Sequence, residues 1–203
     1  MTESAPKHDP AESLRDVDRL IAHVSDLAPV RMAVLHPCNA LSLAGAMDAA
    51  KAGMIHPVLV RPRLKLAAAA AEAGIDLTGV EAIDAPHSHA AAAKAAEMAG
   101  RGEVEALMKG SLHSDEFLGA IVAREAGLRT ERRISHCFVM ETAAYPRPFI
   151  ITDAAINIVP DLLCKADITQ NAIDLAQAIG GQVADGGDPL GGRGRQSAPA
   201  IDA

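Results

Sequence analysis

Short apolar segments alternate with alanine-rich helical patterns along the first two thirds of this sequence, and no other feature restricts the fold as strongly. The apolar segments predict β-strands at residues 31–36, 56–60, 80–84 and 104–108. Helical patterns follow each of them, at residues 39–53, 63–73, 86–99 and 114–126. Strands joined by single helices must run mostly parallel, because each helix returns the chain to the same end of the sheet. The sequence therefore predicts a layered α/β fold.

The pattern changes after Gly127. Residues 134–140 and 149–152 predict two strands joined by a proline-rich turn, and residues 161–179 predict a helix closed by Gly180. We expect four regions: an N-terminal helix and lead-in, a first α/β subdomain, an incomplete start of a second subdomain, and a disordered tail. Their expected bounds are 1–30, 31–133, 134–180 and 181–203. The tail is rich in glycine and poor in large aliphatics, so it buries too little surface to offset its ordering entropy.

Charge and composition exclude several functional classes. A net charge of −7 gives no broad basic face for nucleic acid, and aromatic residues at 2% leave no stacking platform for single strands. The three cysteines are widely spaced, which favours a reducing compartment over a disulfide framework. No apolar run is long enough to cross a bilayer. We expect a soluble cytoplasmic protein that binds neither nucleic acid nor membrane.

The segment Lys109-Gly110-Ser111 lies at a strand end in this prediction, where ligands collect in parallel sheets. It offers an ammonium, a glycine that allows close backbone approach, a hydroxyl and the positive end of the next helix, which Ser114 would cap. These groups could hold a phosphate. The alternative is a capped turn with a solvated lysine, and the residues alone favour that alternative.

Other polar residues each admit a functional and a structural interpretation. Arg129 belongs to a cluster of arginines that suits phosphate oxygens, or that pairs locally with neighbouring glutamates. Asp153 could orient a ligand, although a cap or turn former is favoured there. Cys38 could be a nucleophile, but packing is the default for a free cysteine. His87 and His89 lack a third ligand, so we expect a surface pair and no metal site.

Several longer segments resemble the blocks of one known family in order and spacing. The first is Arg31-Met-Ala-Val-Leu-His-Pro-Cys, and the next are Leu107-Met-Lys-Gly-Ser-Leu-His-Ser-Asp-Glu, Gly127-Leu-Arg-Thr-Glu-Arg-Arg-Ile-Ser-His and Ile151-Thr-Asp-Ala-Ala-Ile-Asn-Ile-Val-Pro-Asp-Leu. They are similar to the phosphate acetyl/butyryltransferase family over about residues 30–180. The resemblance implies a three-layer parallel sheet similar to the isocitrate and isopropylmalate dehydrogenases, and a homodimer.

The resemblance also implies a reaction. Family members convert acetyl-CoA or butyryl-CoA and phosphate into an acyl phosphate and CoA, with CoA as a substrate and no separate cofactor or metal. On this basis Lys109, Gly110 and Ser111 are expected to contact phosphate or an oxyanion. Arg129 and Ser135 are expected to help hold phosphate or the CoA pyrophosphate.

This sequence departs from the family after the helix that contains Asn171. The family's Ser-Arg-x-Asp motif, which supplies a phosphate-binding arginine and the acid/base carboxylate, has no counterpart here, so we assign no catalytic acid or base. We expect a truncated member of the family. The alternative to an active acyltransferase is an inactive remnant that binds CoA or phosphate, or pairs with an intact subunit. A nicotinamide-dependent dehydrogenase is disfavoured because no dinucleotide fingerprint is present.

Overall fold

The computed structural model describes residues 20–22, 24–142 and 145–183. The chain divides into two compact units. The first unit is Val24–Arg132, and the second includes the described residues from Arg133 onward together with residues 20–22. Most of the predicted N-terminal helix, and the predicted tail beyond residue 183, lie outside the described residues.

The first unit alternates strands and helices in the predicted order. Its strands are β1 (Val30–Leu35), β2 (Ile55–Arg61), β3 (Glu81–Asp84) and β4 (Ala106–Lys109). The helices between and after them are α1 (Ala40–Lys51), α2 (Arg63–Ala73), α3 (Ser88–Gly100) and α4 (Ser114–Ile121). All strand pairs are parallel, in the order β3-β2-β1-β4. The predicted α/β fold is confirmed.

Helices cover both faces of this sheet. Side chains alternate along a strand, so neighbouring residues enter different layers. Leu35 and Val60 pack in one apolar cluster with buried alanines of α3, whereas Val34 and Leu59 pack in another with α1 and α2. The small alanine side chains combine high helix propensity with close packing against the sheet. The unit therefore has three layers, as predicted, and the similarity to the dehydrogenase fold stays a prediction.

Local capping explains where the first three helices begin or end. Asn39 precedes α1, and its side-chain oxygen accepts a hydrogen bond from the Ser42 N–H at 2.8 Å, as predicted. Gly74 closes α2 in the left-handed conformation. His87 caps α3, because its ring Nδ1 accepts from the Ala90 N–H at 3.2 Å. This imidazole cap moves the start of α3 from the predicted Pro86 to Ser88.

The prediction for α4 was wrong at both ends. His113, not Ser114, occupies the N-cap position, and the helix ends at Ile121 instead of about residue 126. A separate 3-10 turn, Arg124–Ala126, follows it. This turn packs against the end of α3, where a Cβ on Gly100 would lie only 1.9 Å from the Ala126 carbonyl oxygen. Tertiary packing thus overrides the helical pattern of the segment.

The second unit contains an antiparallel pair of strands and a long helix. The strands are β5 (Phe138–Thr142) and β6 (Tyr145–Ile151), and the helix is α5 (Leu162–Val183). The predicted pairing is confirmed, but the bounds differ. The prolines of the expected turn lie within β6, which is tolerated because a two-stranded sheet leaves one side of each strand unpaired. The helix also continues through Gly180, which lowers helix stability but does not by itself end a helix.

In the described ranges, none of the helices has both the length and the apolar character that crossing a membrane would require.

The layered core predicts a large contrast between two leucines. Leu59 of β2 is completely buried, whereas Leu64 of α2 is 86% exposed. We expect Leu59→Ala to lower the free energy of unfolding by about 2–5 kcal/mol, because it removes buried methyl groups and leaves a cavity. Leu64→Ala is the matched control, with an expected change below about 0.5 kcal/mol. Urea unfolding followed by circular dichroism measures both, and equal effects would contradict this description of the core.

Candidate functional site

The carboxyl ends of the parallel strands in the first unit bring several polar side chains to one edge. Asp84 ends β3, Arg61 ends β2, His36 follows β1 and Lys109 ends β4. The strand register pairs Arg61 with Asp84, and Leu35 with both Val60 and Lys109. We call this the carboxyl edge. It is the part of an open parallel sheet at which ligands bind.

The segment 109–111, here the Lys109 loop, is hydrogen-bonded to the chain that leaves β1. The Gly110 N–H donates to the Leu35 carbonyl at 2.9 Å, and the Ser111 N–H donates to the His36 carbonyl at 3.0 Å. A Cβ on Gly110 would lie 2.4 Å from the Leu35 carbonyl oxygen. Only glycine allows this approach. The predicted close approach of the backbone is therefore present, but it is made to the protein's own main chain.

The Ser111 hydroxyl strengthens the same contact. It donates to the His36 carbonyl at 2.8 Å and accepts from the Cys38 N–H at 3.1 Å. Both contacts join residues that are far apart in the sequence: Ser111 and His36 are separated by 75 positions, and Ser111 and Cys38 by 73. The hydroxyl thus has a structural role between β1 and β4.

His36 completes this connection from the other side. Its residue is only 8% exposed, and its ring Nδ1 lies 3.1 Å from the Ser111 carbonyl oxygen. Because a carbonyl can only accept, Nδ1 carries the hydrogen of this bond. His36 also has a φ of 51°, a left-handed conformation that is unfavourable for a residue other than glycine. The hydrogen bonds to Ser111 hold it there.

Lys109 is exposed, and its ammonium forms no ion pair or hydrogen bond with any residue that the structure describes. The start of α4 lies close in sequence, but its first turn contains Asp115 and Glu116. These carboxylates compensate the positive end of the helix. Lys109 is therefore the group of the loop that remains available to an anion.

Arg61 and Cys38 lie at the same edge. Arg61 is only 7% exposed, and its Nε has no hydrogen-bond acceptor among the described residues. Burial lowers the pKa of its guanidinium, against opposing contributions from Asp84 and Cys38. Burial also raises the pKa of the Cys38 thiol, although the charges of Lys65 and Arg61 act in the other direction. The net effect is that the Cys38 thiol has a higher pKa than a solvated cysteine.

Arg129 belongs to the first unit but not to the bonded network of the loop. It is exposed, and its Nε donates to the Val122 carbonyl at the end of α4. Among the described contacts, none joins Arg129 to Lys109, Gly110 or Ser111. The structure therefore anchors Arg129 without bringing it into the loop.

Ser135 belongs to the second unit. Its hydroxyl oxygen accepts a hydrogen bond from the Asn171 side-chain amide at 2.8 Å, and the same amide donates to the Arg133 carbonyl at 3.0 Å. Asn171 thus fastens α5 to the segment that precedes β5.

Asp153 orders a turn in the second unit, which is one of the two structural roles favoured from the sequence. Its carboxylate accepts from the N–H groups of Ala155, Ile156 and Asn157 at 3.2, 3.1 and 2.9 Å, and from the Asn157 side-chain amide at 2.6 Å. The His136 N–H adds a longer bond of 3.3 Å. Partial burial opposes ionisation, but these hydrogen bonds, led by that from Asn157, lower the pKa of Asp153 to about 2.

The histidine pair is structural. His87 caps α3, and His89 is exposed with its Nδ1 3.5 Å from a Glu116 carboxylate oxygen. Within the described ranges, the histidine, cysteine and acidic side chains form no group of three arranged to hold a metal ion.

Sequence reasoning missed two features of the carboxyl edge. It did not identify the buried guanidinium of Arg61, although a charged residue directly after the apolar run of β2 was a visible signal. It also did not foresee that Ser111 and His36 are partners. That contact depends on the sheet order, which places β1 beside β4.

Comparison with known proteins identifies relatives. The family model for phosphate acetyl/butaryl transferase matches residues 87–184. A phosphate acetyltransferase of Rhizobium meliloti is 54% identical over 163 residues, which are 80% of this chain and 52% of that protein. A phosphate butyryltransferase of Clostridium acetobutylicum is 31% identical over 167 residues, which are 82% of this chain and 56% of that protein. The chain spans about half the length of these curated relatives.

The fold also matches solved structures. The EutD phosphotransacetylase of Staphylococcus aureus aligns with a TM-score of 0.63 and 16% identity, over 81% of this chain and 58% of that one. At this identity the match supports the fold alone.

The close contact at Gly110 predicts a sharp effect of one methyl group. Gly110→Ala would place a Cβ within 2.4 Å of the Leu35 carbonyl, so we expect a loss of at least about 2 kcal/mol of unfolding free energy. Gly119→Ala in α4 is the matched control, because nothing lies within 4 Å of its added Cβ. Alanine favours helix, so the control should be neutral or more stable. A tolerated Gly110→Ala would show that the loop is not held against β1.

The hydrogen-bonded turn at Asp153 predicts a pH-dependent contribution to stability. Its pKa of about 2 in the folded chain lies below the ordinary value of 3.8, so the stabilisation is complete above pH 3.8 and is lost as pH falls towards 2. We expect Asp153→Asn to destabilise the chain at pH 5, and the difference from wild type to shrink at pH 2.5. Urea unfolding at both pH values measures this. Asp26→Asn, at an exposed position, is the control, and an equal pH effect in both variants would contradict the assignment.

Proposed function

This chain belongs to the phosphate acetyl/butyryl transferase family, and on that premise we propose that it serves acyl transfer between CoA and inorganic phosphate. The substrates of the proposed reaction are an acyl-CoA and phosphate, and its products are an acyl phosphate and CoA. CoA acts as a substrate, and we propose no resident cofactor. The family membership, together with the exposed lysine on a loop fixed to the sheet, supports this function best.

The reaction requires a bound phosphate close to the acyl carbonyl, and donors for the oxyanion that forms there. A lysine binds phosphate more tightly when its main chain is already ordered, because no conformational entropy of the loop is then lost on binding. The Lys109 loop meets this requirement, because Gly110 and Ser111 fix it to the chain leaving β1. We therefore assign the anion contact to the Lys109 ammonium.

We propose a positioning role for Gly110 and Ser111 in place of the expected contact with phosphate. Their N–H groups already donate to the Leu35 and His36 carbonyls, and the Ser111 hydroxyl donates to His36. Neither residue has a donor left over for phosphate. In the proposed function they are positioning residues, which set the place of Lys109 relative to β1.

For Arg129 and Ser135 we keep the proposal that they help to hold phosphate or the pyrophosphate of CoA. Each has hydrogen-bond donors for this role. The Nε of Arg129 is anchored on the Val122 carbonyl, which leaves the two terminal nitrogens of the guanidinium to donate to an anion. The Ser135 oxygen accepts from Asn171, so its own O–H remains able to donate. Both residues suit the phosphate or the pyrophosphate of CoA.

A second candidate is binding of CoA or phosphate without turnover. It is favoured by the sequence, because the 203 residues contain no Ser-Arg-x-Asp segment to act as acid and base.

A homodimer is a further proposal. The second unit exposes Ile158 and Val159 at 94% and 92%, and Leu162 at 81%, a type of apolar surface that subunit contacts cover.

One pair of measurements separates these proposals. We expect the chain to bind phosphate in calorimetry, and Lys109→Gln to weaken that binding roughly ten- to a hundredfold, the effect of losing one charge-assisted hydrogen bond. Lys94→Gln is the control, since the Lys94 ammonium already contacts Glu97 at 3.2 Å. If Lys109→Gln bound phosphate as wild type does, the assignment would be wrong.

Release of free thiol from acetyl-CoA or butyryl-CoA with phosphate then tests turnover. Release that requires Lys109 would support acyl transfer by this chain. Binding without release would support the second candidate.

A further inference from the structure

The guanidinium of Arg61 is the most unusual charged group of the first unit. The residue is 93% buried, since only 7% of its surface is exposed. Its side chain forms no hydrogen bond or ion pair with any described residue, and its Nε is both buried and without an acceptor. Removing a cation from water without a partner is costly. Arg61 therefore has a buried donor for which the described residues supply no acceptor.

The strand pattern shows where that anion would lie. Arg61 is two residues after Leu59, so both side chains belong to the same face of β2. Leu59 packs in the cluster formed by α1 and α2. Arg61 therefore stands at the carboxyl end of that layer, where these two helices begin at Ala40 and Arg63.

The surroundings of Arg61 at this position favour an anion. Lys65, in the first turn of α2, is exposed and carries a second positive charge. Pro62 precedes α2 and gives it no side-chain cap. The Asp84 carboxylate caps the α2 N-terminus instead, so that helix end adds little positive potential of its own. Cys38 presents a thiol, which can donate a weak hydrogen bond instead of repelling an anion.

Asp84 is the one acidic residue paired with Arg61 in the sheet register. Its carboxylate lies beyond ion-pair distance of the guanidinium, and one of its oxygens accepts from the Arg63 N–H at 3.0 Å. That contact caps the start of α2. Asp84 therefore reduces the positive potential without occupying the donors of Arg61. The charge of Arg63, the first residue of α2, also acts on Arg61, so three cations, Arg61, Arg63 and Lys65, stand against one carboxylate.

We propose that Arg61 and Lys65 form a binding site for a phosphate dianion at the carboxyl edge, between the first turns of α1 and α2. The planar guanidinium suits phosphate oxygens, and the lysine adds a flexible second cation. The site goes beyond the proposed acyl transfer, since it needs only the dianion. Inorganic phosphate and the 3′-phosphate of CoA both carry this group.

This site is distinct from the Lys109 loop. The order β2-β1-β4 places one strand between Arg61 and Lys109. With neighbouring strands about 4.8 Å apart, the two strand ends are separated by about 10 Å. The two cations can therefore hold two different phosphoryl groups.

Alkylation of Cys38 reports on the site independently of turnover. We would treat the full chain with iodoacetamide at fixed pH, and follow Cys38 and Cys137 by peptide mass spectrometry, with and without inorganic phosphate. We expect phosphate to slow alkylation at Cys38 severalfold and to leave Cys137 unchanged. Thermal unfolding should shift upward in phosphate over the same concentration range.

Three variants test the residues. Arg61→Met removes the charge but keeps an apolar stem, so the chain should fold and lose the response of Cys38 to phosphate. Lys65→Gln lies on the surface, where it cannot disturb the core, and should weaken phosphate binding at least about threefold. Lys51→Gln is the control: it makes the same charge change at the other end of α1, where its side chain is 73% exposed, and should respond as wild type.

CoA and dephospho-CoA distinguish the source of the phosphate. Protection of Cys38 by CoA, but not by dephospho-CoA, assigns the site to the 3′-phosphate. Equal behaviour of the two, with protection by inorganic phosphate, assigns it to the free anion. Protection that persists in Arg61→Met, or no protection of wild type by any of these compounds, would overturn the proposal. Neither result depends on Lys109 or on thiol release, so failure of this site and failure of the proposed reaction are distinguishable.

Discussion

The contact between Gly110 and the end of β1 determines the geometry of the carboxyl edge. Main-chain hydrogen bonds continue past the last residue of β4, from Gly110 to Leu35 and from Ser111 to His36. They are possible only because residue 110 has no Cβ to collide with the Leu35 carbonyl. Through this contact the left-handed conformation of His36, the direction of the chain towards α1 and the place of Lys109 are all fixed together.

The carboxyl edge is locally basic although the chain as a whole is acidic. The net charge is −7, yet Arg61, Lys65 and Lys109 lie at the strand and helix ends of one edge, with Asp84 as the acidic residue in register with Arg61. Charges more than a Debye length of about 8 Å apart are largely screened at physiological ionic strength, so local composition decides what binds. Total charge carries no information about this edge, because it sums charges over the whole chain.

The sequence predicted the parts of the fold that depend on local patterns. The strands of the first unit, the Asn39 cap and the glycine end of α2 follow from short-range rules, and the structure confirms them. The end of α4 does not follow from them, because the close approach of Ala126 to Gly100 outweighs the helical pattern. The site shows the same division. Lys109 could be selected from its position and from the family resemblance, whereas the bonds of Ser111 and the burial of Arg61 depend on sheet order.

Two charged residues show how hydrogen-bond satisfaction separates structural from binding roles. Asp153 accepts from three main-chain N–H groups and an amide within four residues, so its charge is already stabilised and its pKa is lowered to about 2. A carboxylate in that state orders its own loop and has little capacity left for a ligand. Arg61 is more deeply buried but has no such partners, so its ionised form is destabilised by the fold that holds it. The fold thus buries a donor, the Arg61 Nε, without an acceptor. Because burying an unpaired charge is unfavourable, an anion that accepts from Arg61 would bind more tightly than it would at a solvated arginine.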